Sequence, residues 1–104
     1  MQQRLQKIEE MLLAQPKDNF LRHALALENI KLGNDAIAKE IFESILTDDM
    51  QYVGSYYHLA KTLERLSLTE NAIAVYEKGM EIAKQLKDMH SYNELQAAYE
   101  DLVY

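Results

Sequence analysis

No cysteine occurs in the chain. That excludes disulfides, thiolate zinc sites and cysteine nucleophiles. Proline occurs once and glycine three times. Breakers this scarce argue for helix, against a β-sandwich or a disordered chain. Positive charge is also in short supply: 11 Lys and Arg stand against 17 Asp and Glu, for a formal net charge of −6. An acidic surface argues against general nucleic-acid binding, because phosphate contacts need a basic stripe. No apolar run approaches the roughly 20 residues of a membrane-spanning helix. The first ten residues carry acids and no apolar signal core, so the cytoplasm is the expected compartment and no membrane partner is expected. Catalytic signatures are missing too. There is no glycine-rich phosphate loop, no His-Glu-x-x-His and no Ser-His-Asp order worth naming. Neither an enzyme nor a cofactor is expected.

What is present is a repeat. Displaced by 34 residues, Leu25 falls on Leu59, Ala26 on Ala60, Leu32 on Leu66, Ala38 on Ala72, Phe42 on Tyr76 and Leu46 on Met80. Small residues match small ones and aromatic matches aromatic. A period of 34 is that of paired antiparallel helices. The expected fold is all-α, about six helices in antiparallel helix-turn-helix repeats stacked as a superhelix. With 48% hydrophobic residues in 104, one small domain is expected, stabilised by contacts between sequence neighbours.

Taken in order, Leu5, Ile8 and Leu12 place an amphipathic helix over 3–14, stopped by Pro16. Ile8 lies in the register of Phe42 and Tyr76, so the segment 1–16 reads as the second half of a repeat. Asp18 or Asn19 caps the next helix, which runs to about Leu32. Gly33 supplies a left-handed exit, and Asn34 or Asp35 a new cap. The following helix, about 36–47, carries Ile37, Ala38, Ile41, Phe42, Ile45 and Leu46 as a broad apolar face. The plan recurs over about 53–66 and 70–87, with Thr69 as the expected cap. Tyr92, Leu95, Tyr99 and Leu102 mark a last helix over about 88–102, two residues out of register. The expected divisions are therefore 1–16, repeats over 19–52 and 53–86, and a C-terminal capping helix in 88–104. Glu94, Gln96, Glu100 and Asp101 would give that cap a polar outer side. Met11, Met80 and Met50 read as core or inter-repeat filler. The carboxylate pairs Asp48-Asp49 and Glu9-Glu10 read as solvated.

These residues resemble the tetratricopeptide repeat family, and the chain looks like the small bacterial proteins of that family. The repeat over 19–52 has Leu25-Ala26, Gly33, Ala38 and Phe42; that over 53–86 has Tyr56, Leu59-Ala60, Ala72 and Tyr76. Pro16 takes the place of the family's closing proline. Arg22 departs from the pattern at its first bulky residue, Asn29 at its later aromatic, and Met50 and Lys84 at the closing proline. The resemblance implies a non-catalytic scaffold that holds a protein or peptide on the concave face made by the first helix of each pair. By register that face holds Phe20, His23, Leu27, Ile30 and Lys31, then Gly54, Tyr57, Lys61, Glu64 and Arg65, with His90 and Asn93 from the last helix. Aromatic and basic residues there suit an acidic or apolar segment. The alternative is a homodimer, closed through the open first edge and the tyrosine-rich last helix. Some family members grip a chaperone's terminal carboxylate with Lys, Arg and Asn. The equivalent places here hold His23, Leu27, His58, His90 and Glu94, and Leu27 and Glu94 do not suit an anion. The three histidines have two readings. In the simpler one they are unrelated and His58 is partly packed. In the sharper one they converge on an anion or a metal and respond to pH.

Overall fold

The helices begin and end where local chemistry stops the ladder. The computed structural model describes residues 2–104; Met1, in the segment expected over 1–16, lies outside them. Six helices follow in order: α1 Gln2–Ala14, α2 Asn19–Lys31, α3 Asp35–Asp48, α4 Gly54–Arg65, α5 Thr69–Gln85 and α6 Met89–Val103. No strand occurs among the described residues. At α2 the Asp18 carboxylate accepts from the Leu21 amide at 2.9 Å, and at α6 Asp88 accepts from Ser91. Each satisfies a donor the helix leaves free. Thr69 does not cap as expected. Asn34 stands at the N-cap of α3 without a side-chain bond to it, and α5 starts at Thr69 with Leu68 as the cap residue.

Three helices stop in the same way. Gly33 (φ 80°), Ser67 (φ 62°) and Lys87 (φ 58°) are left-handed. The Gly33 amide donates to Ile30 O and the Asn34 amide to Asn29 O; Ser67 and Leu68, then Lys87 and Asp88, repeat both bonds. Two orphan carbonyls at each helix end are thereby satisfied.

Each helix packs against its neighbours in sequence, and α6 also reaches α4. The result is a body of 40 × 28 × 20 Å built from local contacts. The small residues lie at the crossings: Ala26, Ala38, Ala60 and Ala72 are fully buried, as are Phe42 and Tyr76 between the layers. Burying a ring or aliphatic side chain of this size contributes roughly 1.5–3 kcal/mol. One apolar cluster joins Ala26, Ala38, Phe42, Ile45, Leu59 and Leu63. A second joins Tyr56, Ala60, Tyr76, Ile82, Leu95 and Ala98.

Several expectations are corrected. Met11 is 41% exposed, Met50 51% and Ile37 48%, so none of them is core. Helical periodicity gives a residue its direction but not the neighbour that would cover it. Asp48 is not merely solvated: it accepts from Arg22 at 2.9 Å, while Asp49 accepts from Asn19. Arg22 stands where Tyr56 and Tyr92 stand in the later repeats. It is buried, and its guanidinium also reaches Ser44 and Asn19.

Candidate functional site

At 100° per residue, Phe20, His23, Leu27, Ile30 and Lys31 lie on one side of α2, and Gly54, Tyr57, Lys61, Glu64 and Arg65 on the matching side of α4. The centre of this face is a group of rings. His23 and His58 have centroids 5.3 Å apart and meet edge to face. His23 also meets Phe42 at 5.4 Å and Tyr52 at 5.9 Å. Tyr57 stands edge-on to His58 at 5.4 Å, with Lys61 Nζ 5.8 Å from the Tyr57 centroid. The His23 Nδ1 and Ser55 Oγ lie 2.9 Å apart, a bond that joins α2 to α4.

Burial disfavours the charged imidazole. It pulls His23 down to about 4, and the neighbouring His58 adds to the effect. Burial lowers His58 as well; Glu94 opposes this and Arg65 reinforces it. Both rings are therefore neutral at pH 7. His90 is exposed in the first turn of α6 and is in ring contact with neither among the described residues. The histidines thus form a pair with a third apart. Among the described residues no group of three His, Cys, Asp or Glu could hold a metal ion.

The cations of this face have partners. Arg65 donates from Nε to both Asp35 oxygens at 3.1 Å, tying the end of α4 to the start of α3. Lys31 pairs with Glu28 at 3.1 Å, and Glu28 also takes Arg4. Those two cations hold the Glu28 carboxyl below the usual range, Lys31 first. Lys61 lies 3.8 Å from Glu64, whose carboxylate also accepts from the Tyr76 hydroxyl. Lys61 is thus the most loosely held of the three. Leu27 and Ile30 pack on the first apolar cluster and Tyr57 on the second, so each offers an edge rather than a whole side chain. Phe20, 71% exposed, lines a separate cleft of about 520 Å³ with Arg4, Lys7, Ile8 and Met11 of α1. Asn93 is exposed. Ser55, Tyr52 and Phe42, which frame His23, stand at three different places in the repeat, so the register does not group them.

Antiparallel helical hairpins stacked in sequence order define the class of helical-repeat scaffolds. The model of the tetratricopeptide repeat matches residues 53–86. A tetratricopeptide repeat domain protein from Salinibacter ruber is 41% identical in its solution structure, over 85% of this chain and 89% of that one, with a TM-score of 0.81. The crystal structure of the S. ruber tetratricopeptide repeat domain protein superimposes with a TM-score of 0.77 at 41% identity, over 82% and 96%. A protein from Bordetella parapertussis shares the fold at 23% identity, over 94% and 85%, with a TM-score of 0.83. No curated protein matches the sequence. The chain belongs to the tetratricopeptide repeat family, whose repeats mediate protein–protein interaction and whose fold is typically a non-catalytic scaffold. None of its helices is long and apolar enough to cross a membrane among the described residues.

Proposed function

We propose that the chain is a non-catalytic scaffold of the cytoplasm that holds a segment of another protein across α2, α4 and α6, on the concave side of the superhelix. The observation that carries this reading is the half-exposed ring group of His23, Tyr57 and His58 with Lys61 over Tyr57. Aromatic side chains beside a loosely paired cation form a surface that takes an apolar group and a carboxylate together. An apolar side chain of the segment rests on Tyr57 and His23. Its acid replaces Glu64 on Lys61. Arg65 and Lys31 contribute less, because an incoming acid would have to displace Asp35 or Glu28. The test is capture from a lysate of the source cell by the native chain and by a Tyr57→Ala/Lys61→Ala variant, both checked for helicity by circular dichroism. The bound segment, made as a peptide, is then titrated by NMR. Amide shifts centred on Tyr57 and His23, lost in the variant, support the reading; equal binding by both chains overturns it.

A second reading is a homodimer closed through α1 and α6. It is favoured by Met89, 52% exposed, and Tyr104, 97% exposed, at the two ends of α6. Arg4 opposes it. Its register is that of Ala38 and Ala72, so a helix docking on α1 as α2 docks on α3 would meet a guanidinium in place of a methyl. Light scattering over a range of concentrations decides, and a constant monomer mass excludes the dimer.

A further inference from the structure

On the other side of α2 lies a cleft of about 410 Å³ between α1 and α3. Its floor and walls are Leu12, Leu13, Pro16, Leu25, Ile37 and Ile41. Leu25 lies roughly 160–200° around α2 from Leu27 and His23, so this cleft and the ring group face opposite ways. Its volume is in the range of small binding sites.

The repeat supplies an internal control. Moved on by 34 residues, the same positions line the space between α3 and α5. Leu12, Leu25 and Ile41 become Leu46, Leu59 and Val75. These stay apolar in both places, as shared packing requires. Leu13 and Ile37 become Thr47 and Asn71, both exposed. The fold therefore accepts polar residues at these two positions. Yet Leu13 is 85% exposed and Ile37 48%. Two large aliphatic side chains face water across a cleft where the architecture does not ask for them.

The rim is acidic. Glu9 and Glu40 border the cleft, and neither enters an ion pair among the described residues. Glu10 extends the acid edge into the adjoining groove with Glu9 and Leu13. In the next interval the position of Glu40 is Ala74. Arg22 also borders the cleft and shares the Asp48 carboxylate with Lys17, so that cluster offsets part of the acid rim. With Glu9, Glu10 and Glu40 against it, the cleft still joins an apolar floor to a net negative rim, on a chain whose net charge is −6.

We infer that the cleft between α1 and α3 is a second docking site, for a segment of another protein that carries neighbouring aliphatic side chains flanked by Lys or Arg. The aliphatic groups cover Leu13 and Ile37, and the flanking cations meet Glu9 and Glu40. A second copy of this chain fits poorly, since it brings more acid to an acidic rim. This inference does not depend on the α2–α4 face.

The experiment is selection of short peptides from a random library on the immobilised native chain, with counter-selection on a Leu13→Thr/Ile37→Asn variant. Both substitutions are residues the repeat itself carries in the next interval, so the fold is kept; circular dichroism checks it. The expected winners pair aliphatic residues with Lys or Arg. They lose about tenfold or more in affinity on the double variant, lose affinity on a Glu9→Gln/Glu40→Ala variant and at high salt, and shift the amides of Leu25 and Ile41 but not Tyr57. The inference is overturned if the library yields no binders lost on the double variant, if the winners are acidic or uncharged, or if light scattering shows a dimer of the native chain that the double variant abolishes.

Discussion

Gly79 and Tyr56 approach so closely that a Cβ on Gly79 would lie 2.7 Å from the Cβ of Tyr56 and 3.0 Å from Leu95 Cδ1. The atom met first belongs to the root of the Tyr56 side chain, which cannot swing away. α4 and α5 must therefore separate if residue 79 gains a methyl. Alanine would improve helix propensity by about 1 kcal/mol. Overpacking costs typically ~1–3 kcal/mol, and Tyr56 is pinned by a 2.6 Å bond from its hydroxyl to Met50 O. The expected outcome for Gly79→Ala is a net loss of stability. It is read from the urea midpoint at an unchanged slope.

The three left-handed helix ends give a contrast in sign. Gly33 bears its positive φ without strain, while Ser67 and Lys87 carry a Cβ in the same conformation. A left-handed non-glycine residue costs about 1–2 kcal/mol, offset in part by the lower chain entropy of the unfolded state. Ser67→Gly and Lys87→Gly should each raise stability by about 0.5–1 kcal/mol. Gly33→Ala should lower it by a similar amount. Thermal unfolding of the three variants checks this, and a stabilising Gly33→Ala would refute it.

These contrasts show what was legible in the sequence. Ala26, Ala38, Ala60, Ala72, Phe42 and Tyr76 recur at 34 residues because each copy solves the same crossing problem, and all six are fully buried. The left-handed exit was readable at Gly33, where glycine advertises it, but not at Ser67 or Lys87. Exposure of Met11 and Ile37 was not readable, since α1 and the outer side of α3 lack the neighbour that periodicity assumes. The candidate face was legible as a set of positions only. His23 shares a register column with Tyr57, and His58 with Ala24, so the column alone separates the two histidines. The packing of α2 on α4 brings them together. The pairing of Arg65 with Asp35 and of Lys31 with Glu28 depends on rotamers, which no spacing encodes.

Arg22 is the clearest departure from the family's pattern, and its removal should be costly. It is 7% exposed, with bonds to Asp48 and Ser44 that tie α2 to the end of α3 and one to Asn19 within α2. Its Nε is buried without a partner among the described residues. Arg22→Ala strips the shared partner from Asn19 and Ser44 and leaves a gap, for a loss of roughly 2–3 kcal/mol. Arg22→Met keeps the volume and removes the buried charge together with the unsatisfied donor. It should cost less than half as much. Denaturant unfolding of both variants compares them. Equal losses would mean that the ionic contacts, not the filled volume, carry the stability.

The histidine pair should make stability depend on pH in a particular direction. His23 has a folded value of about 4 against an ordinary 6.5, and His58 is lowered too. The unfolded chain then binds more protons than the folded one between those values, so stability rises with pH there. The contribution is complete above about pH 6.5 and is lost as pH falls toward 4. Both rings are partly exposed, so solvent screening reduces its size. Between pH 7 and pH 4.5 the native chain should lose about 1–2 kcal/mol. Carboxylates such as Asp48, lowered by Arg22 and then Lys17, act in the same direction but at lower pH. His23→Gln retains a polar group within reach of Ser55 and removes one titrating ring. It should flatten the loss above pH 4.5. Imidazole proton shifts followed across the same range test the cause directly: a His23 ring that titrates at 6.5 in the folded chain would show that burial between α2 and α4 does not discharge it.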